Sequence, residues 1–313
     1  MGGIKQSVRK TEILIYCNGR YEQEQICAEK WLRLIYENPI GRASLLSLVS
    51  RKFLSRIYGR YCRTSLSARK IQQFIIENKV NMTGCTGRYN SFSDFFTREK
   101  SGILFPSEES ILGSPAEGAV SIHTGIDSSE LIAAKGSSFS LADLLCNESL
   151  AKEYECGIMV RIRLTPADYH RVHFFDNGTI RAAKQIDGRL FSVSPLAVAG
   201  IVRLYCRNKR TVLHFDSEHF GEVVLVEVGA TFVGSIIHCF ENGETVSRGQ
   251  QCSYFMPGGS LLLAFFKKGA FVPDESILAQ SSLGYETKIE VGDALGARSL
   301  GQKSECSDFE RVF

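Results

Sequence analysis

Apolar residues recur at helical spacing across residues 28–78. Trp31, Leu34 and Ile35 lead, Asn38-Pro39 interrupts, and Leu45, Leu48, Val49 and Ile57 resume the pattern. Arg and Lys fill the positions between, so the segment predicts basic amphipathic helices. Their apolar face can rest on a membrane interface or on the protein's own core, and the pattern weights the two equally. Beyond the Gly84–Gly87 loop the texture changes to short β-like runs separated by Gly, Asn, Asp and Ser. Ile158-Met159-Val160-Arg161-Ile162-Arg163-Leu164 alternates apolar and basic positions as a half-buried strand does. Thr211–Phe215, Glu222–Val228, Thr231–Phe240, Leu261–Phe266 and Lys288–Val291 are further predicted strands, and helical signals are confined to Leu141–Leu145 and Ser194–Tyr205. The expectation is an α+β chain: a helical region over 1–90, then a mostly antiparallel β-sandwich or barrel-like domain over 91–313.

Composition agrees with a globular chain able to bury a sizeable core, at 313 residues, 44% hydrophobic and 23% charged. Net charge is only +3, but residues 1–75 hold 14 Lys or Arg against 5 Asp or Glu, so the positive charge is local. A basic helical segment suits an anionic membrane surface; a nucleic-acid reading has no recognition motif to accompany the charge. Arg42, Arg51 and Arg56 interrupt the most apolar stretch, which predicts no membrane-spanning helix. The ten cysteines are scattered without a CxxC pair, as reduced structural thiols are.

Three segments could carry chemistry. Tyr169-His170-Arg171-Val172-His173 sets two imidazoles at the end of a predicted strand, suited to proton transfer near neutral pH. No third residue stands at metal-ligand spacing, so no metal is expected. Gly258-Gly259-Ser260 places a serine at the mouth of the very apolar Leu261–Phe266 run. Ser114-Pro115-Ala116-Glu117-Gly118 adds a carboxylate in a tight turn. Taken singly, each is an ordinary structural motif.

Together, and in this order, they resemble the signature blocks of the phosphatidylserine decarboxylase family, in its bacterial, pyruvoyl-dependent form. Trp31–Arg42 resembles its N-terminal helix, and Phe95-Phe96-Thr97-Arg98 is similar to its Phe-Phe-Thr-Arg block. Lys135-Gly136 with Phe139-Ser140-Leu141, Pro166–His173, Val228-Gly229-Ala230, Val233-Gly234-Ser235-Ile236 and Gly258-Gly259-Ser260 complete the set, from about residue 28 to 300. Some positions depart from the pattern: Glu117 stands where the family has Asp, Gln251 and Ser253 replace an acid and a glycine, Phe175 a frequent proline, and Leu261 a common Thr.

The resemblance implies a proenzyme that cuts itself between Gly259 and Ser260. The products would be a β chain (1–259) and an α chain (260–313) that stay together as a heterodimer, with a homodimer of heterodimers one assembly open to it. Ser260 would be the nucleophile and then the covalent pyruvoyl group, the only cofactor, with neither metal nor pyridoxal phosphate. His173 would be the base, Glu117 the acid orienting it, and His170 would serve the second reaction at the substrate carboxylate or at the carbon losing carbon dioxide. That pyruvoyl group would form a Schiff base with phosphatidylserine and release carbon dioxide to give phosphatidylethanolamine. Residues 1–90 would associate with the membrane, at the cytoplasmic face of a bacterial cell membrane. Two other readings are a non-cleaving, membrane-surface phospholipid-binding relative and a serine hydrolase, the latter without the Gly-x-Ser-x-Gly elbow of the commonest type.

Overall fold

The computed structural model describes residues 14–24, 52–134, 137–194, 197–198, 201–230, 236–258 and 260–298. The expected Trp31–Arg42 helix, Lys135-Gly136, Val233-Gly234-Ser235 and Gly259 lie outside the described residues.

A ten-stranded sheet dominates. In spatial order its strands are Thr245–Val246, Gly178–Ile186, Arg210–Ser217, Gly221–Gly229, Ser260–Phe266, Ile158–Leu164, Gly118–Thr124, Glu286–Ile289, Leu14–Cys17 and Arg20–Gln23. Neighbours run antiparallel, except Leu14–Cys17 beside Glu286–Ile289. Ser260–Phe266 is apolar after its first residue because both its faces are covered, and Ile158–Leu164, expected to be half-buried, is covered on both faces as well, with Arg161 and Arg163 paired to Glu286. Along Ser260–Phe266, Leu262, Ala264 and Phe266 enter one core while Leu261, Leu263 and Phe265 enter another. Over the first core lies a three-stranded sheet of Ile236–His238, Gln251–Phe255 and Arg171–His173, contributing Ile236, Phe255 and Val172. Helices cover the other face: Leu141, Leu144 and Leu145 from Leu141–Leu145, and Leu204 and Tyr205 from Leu204–Arg207. The architecture is therefore α+β with large, mostly antiparallel sheets, as the pattern predicts.

Differences from the predicted elements have local causes. Of Thr231–Phe240, the described strand is Ile236–His238. The last strand of the large sheet is Glu286–Ile289 rather than Lys288–Val291, because the chain turns at Gly292 with φ 89°. The described part of Ser194–Tyr205 is helical at Ala197 and Val198 and again at Leu204–Arg207, with Arg203 in the left-handed conformation between them. Periodicity over 28–78 also gave no sign of a hairpin upstream. Leu14–Cys17 and Arg20–Gln23 pair around Asn18-Gly19, whose φ values of 47° and 80° are those an Asn-Gly turn supplies.

Within the helical segment lie Lys52–Cys62, the 3₁₀ turn Ser65–Lys70 and Ile71–Glu77, and part of their apolar face packs on the protein's own core. Cys62, Ile71, Phe74 and Ile75 pack with the buried Phe92, Phe95 and Phe96. Ile57, Leu66 and Ile76 remain exposed, among exposed Arg60, Arg63, Arg69 and Lys70. No helix among the described residues is long and apolar enough to cross a membrane, and the eight described cysteines are free thiols.

Candidate active site

The segment Thr165–His173 is wired to the Phe92–Phe96 helix and the loop after it. Ser91 caps that helix, its hydroxyl accepting from the Asp94 amide at 3.1 Å, and the turn buries Phe95 and Phe96. Just beyond, Arg98 is 2% exposed and donates through Nη2 to the carbonyls of Ala167 and Asp168, both at 3.0 Å. Arg171 donates to the Thr97 carbonyl at 2.9 Å and to Gln251 Oε1. The Phe-Phe-Thr-Arg block thus holds the histidine-bearing segment by its backbone.

His170 is fully buried, its ring 3.9 Å from that of Phe96. Nδ1 lies 2.9 Å from the Asp168 carbonyl, and a carbonyl only accepts, so Nδ1 carries the proton and Nε2 presents a lone pair. That Nε2 is buried with no hydrogen-bond partner. Burial pushes the imidazole down to about 3, which keeps it neutral.

His173 is held differently. Nδ1 donates to the Gly249 carbonyl at 2.9 Å, and Nε2 lies 3.2 Å from the Tyr169 hydroxyl. Its backbone amide donates to the Pro115 carbonyl at 2.8 Å, tying the ring to the turn that carries Glu117. Burial lowers its basicity as well. The orienting bond expected from Glu117 to His173 goes to Gly249 instead. Glu117, 5% exposed, faces Lys100 Nζ at 3.6 Å and Lys288 Nζ at 3.9 Å. Burial pushes its carboxyl up despite both lysines. Gly118 follows because a Cβ there would sit 2.6 Å from the Arg163 carbonyl oxygen, inside the strand pairing.

Asp168 and Lys288 form an ion pair beside this carboxylate. Burial opposes ionisation of Asp168, but Lys288 and the Thr165 amide at 2.6 Å hold its carboxyl below the usual range. Ser260 opens its strand between Gly229 and Leu164, fully buried, with an Oγ that has no hydrogen-bond partner. The His170 carbonyl accepts from the amide of Phe255, five residues upstream of Ser260, at 3.0 Å, which ties the histidine segment to the chain leading into Ser260. The sequence reading missed Lys100, Asp168, Tyr169, Lys288 and the Gly249 carbonyl as parts of this site. Asp168 and Tyr169 stood inside the quoted histidine block; a main-chain acceptor leaves no mark in a side-chain pattern. Among the described residues no group of His, Cys, Asp and Glu could hold a metal ion.

Comparison with known proteins gives one answer. The family described as "Phosphatidylserine decarboxylase" matches residues 90–297. A "Phosphatidylserine decarboxylase proenzyme" of Clostridium botulinum (strain Kyoto / Type A2) is 40% identical over 283 residues, covering 89% of this chain and 96% of that one. Proteins of the same name from Clostridium perfringens (strain ATCC 13124) and Clostridium novyi (strain NT) are each 38% identical, covering 88% and 89% of this chain and 96% of each relative.

Proposed function

This chain belongs to the phosphatidylserine decarboxylase family, and from that membership we propose that it is a pyruvoyl-dependent decarboxylase, matured by self-cleavage between Gly259 and Ser260, that converts phosphatidylserine to phosphatidylethanolamine. The observation that carries the reading is the Ser260 hydroxyl, buried and unpartnered at the start of an interior strand. A buried polar group without a partner costs about 1–3 kcal/mol, which packing alone gives no reason to retain. A carbonyl formed at this residue would no longer carry that orphaned donor, so the position suits a pyruvoyl group. The relatives' name, proenzyme, favours this reading over a non-cleaving lipid-binding protein.

In maturation, Ser260 Oγ adds to the Gly259 carbonyl carbon while its proton passes to His173 Nε2. The Gly259–Ser260 C–N bond breaks, the freed amine takes that proton, and an ester joins the two residues. Loss of the Ser260 Cα proton then breaks the Cβ–Oγ bond, releasing the Gly259 carboxylate and leaving dehydroalanine. Its imine tautomer takes up water and loses ammonia. With Gly249 fixing the ring, His173 Nε2 is the accepting atom, and it exchanges the Tyr169 hydroxyl it now faces at 3.2 Å for the Ser260 proton. Glu117 is assigned to stabilise the imidazolium through its charge alone, since the Gly249 carbonyl takes the orienting bond and the carboxylate faces Lys100 and Lys288.

Once present, the pyruvoyl carbonyl supplies the electron sink that decarboxylation of an amino acid requires. His170 is assigned to the substrate. Neutral in the free protein, it takes up a proton as the substrate carboxylate arrives beside Nε2, and returns it at the carbon that loses carbon dioxide. Exposed Ile57, Leu66 and Ile76 among basic side chains support peripheral attachment to an anionic membrane, assigned to the cytoplasmic face of a bacterial cell.

Intact-mass analysis of the purified protein tests this reading. Fragments 1–259 and 260–313 are expected, the smaller with a blocked, pyruvoyl terminus, and Ser260→Ala should give the uncut chain. A wild-type preparation that stays uncut under native conditions, or a Ser260→Ala chain that is cut, would overturn it.

A further inference from the structure

Glu227 is 1% exposed in the strand Gly221–Gly229, in the middle of the large sheet, and no step above uses it. Strand alternation turns its side chain toward the core that receives Val223 and Leu225, the face that also carries Leu262 and Ser260. Register sets Glu227 opposite Leu262 and Gly229 opposite Ser260. Glu227 therefore stands on the diagonal from Ser260, about 7 Å away by ordinary strand geometry.

Both carboxylate oxygens are engaged across the core. Oε2 faces His238 Nε2 at 2.8 Å and Oε1 accepts from the Ser253 hydroxyl. His238 and Ser253 are register partners on adjacent strands of the three-stranded sheet, and Ser253 is fully buried. One carboxylate of the large sheet thus grips a cross-strand pair of the facing sheet.

The connectivity gives this grip a consequence. The strand Gln251–Phe255 runs on through Met256-Pro257-Gly258-Gly259 to Ser260. Ser253 therefore fixes the chain upstream of the scissile bond, and the strand of Glu227 itself pairs with Ser260 downstream of it. The Phe255 amide, between them, donates to the His170 carbonyl. A leucine at 227 would join the two sheets at less desolvation cost than a buried carboxylate. What the polar set adds is a fixed register between them.

We infer that Glu227, acting through Ser253 and His238, is a positioning residue for self-cleavage: it holds the segment upstream of Gly259 at the height where the Ser260 hydroxyl meets the Gly259 carbonyl. The inference rests on the maturation reading above. Attack needs the reacting atoms within about 3–3.5 Å, and a displacement near 1 Å costs about 100-fold in rate.

The test follows fragment formation by mass in freshly synthesised full-length chain, beside a melting curve for each variant. Ser253→Ala and Glu227→Gln should slow cleavage by about 10- to 100-fold, while Ser253→Thr, which keeps the hydroxyl, should cleave within a few-fold of the parent. The triple variant Glu227→Leu, Ser253→Ala, His238→Leu removes every polar partner together; it should recover the parent's melting temperature yet still cleave slowly, which a purely structural role would not produce. Parental cleavage in Ser253→Ala, or in a triple variant of parental stability, would overturn the inference. If the triple variant does not fold, the contrast between Ser253→Ala and Ser253→Thr decides. A parent chain that never cleaves would instead refute the maturation reading, and the inference with it.

Discussion

Two desolvated histidines, His170 fully buried and His123 half-buried, make acid sensitivity a quantitative consequence of the fold. Burial pushes His170 down to about 3 and His123, in the strand Gly118–Thr124, down to about 4, the latter helped by Arg161. In the unfolded chain both imidazoles return to about 6.5. Because the folded values are depressed, the unfolded state binds more protons throughout the interval between, and stability falls as pH drops below about 6.5. At pH 5 the unfolded chain gains about 2 kcal/mol for each such histidine, and the folded chain gains almost nothing. This figure depends little on the folded values as long as they lie well below 5. Glu117, whose carboxyl burial pushes up, works in the opposite sense, but it is common to the two chains compared. The assay is urea unfolding at pH 7 and pH 5 of Ser260→Ala, which stays a single chain, against the same chain carrying His170→Asn. The pH-dependent loss should be about 2 kcal/mol smaller in the double variant, whatever its stability at pH 7. Equal losses in both chains would refute the claim that His170 is buried and neutral.

Two further outcomes separate roles that the sequence treats alike. His173→Ala should leave the chain uncut, whereas His170→Ala should be cut normally and release carbon dioxide at least 10-fold more slowly per cut chain; Glu117→Gln should slow cutting, and fragment formation and gas release measured separately decide each case. For the membrane, replacing Ile57, Leu66 and Ile76 by Asp should abolish flotation with anionic liposomes while the wild-type chain floats and is partly released by salt; undiminished flotation would move the contact elsewhere.

How much of this was legible depends on how local the signal is. Leu141–Leu145 reads directly because its cap is adjacent: the Ser140 hydroxyl accepts from the Asp143 amide at 3.1 Å. Ser260–Phe266 and Ile158–Leu164 read as strands from composition and alternation alone. The hairpin Leu14–Gln23 had a local signal in Asn18-Gly19, but its docking on Glu286–Ile289 joins residues at opposite ends of the sequence, and no periodicity reports such a pairing. The site divides in the same way. His170, His173 and Ser260 were marked by residue type, while Lys100 and Lys288 around Glu117 come from distant loops and strands. Lys288 itself lay in a predicted strand, where a charged side chain reads as a solvated position until its partner is known.

The place of the proposed cut explains how a chain can be broken beside its own core and keep its fold. The bond lies where the chain leaves the three-stranded sheet at Phe255 and enters the large one at Ser260. Downstream, Ser260–Phe266 is interior, hydrogen-bonded to Gly221–Gly229 on one side and Ile158–Leu164 on the other. Glu286–Ile289 is likewise held between Gly118–Thr124 and Leu14–Cys17. Ala294–Arg298 pairs with Phe271–Pro273 of its own fragment, and also with Ile111–Gly113 of the other. Separating the fragments would unzip two interior strands and expose Leu261, Leu262, Leu263, Phe265 and Phe266, all buried, at about 1.5–3 kcal/mol for each side chain. Self-cleavage removes one peptide link and, with the ammonia, the Ser260 nitrogen at the very end of its strand, and it leaves Leu261–Phe266 paired on both sides. The proposed heterodimer is thus held by the same sheet that positions Ser260, and chemistry that severs the chain is compatible with the site it creates.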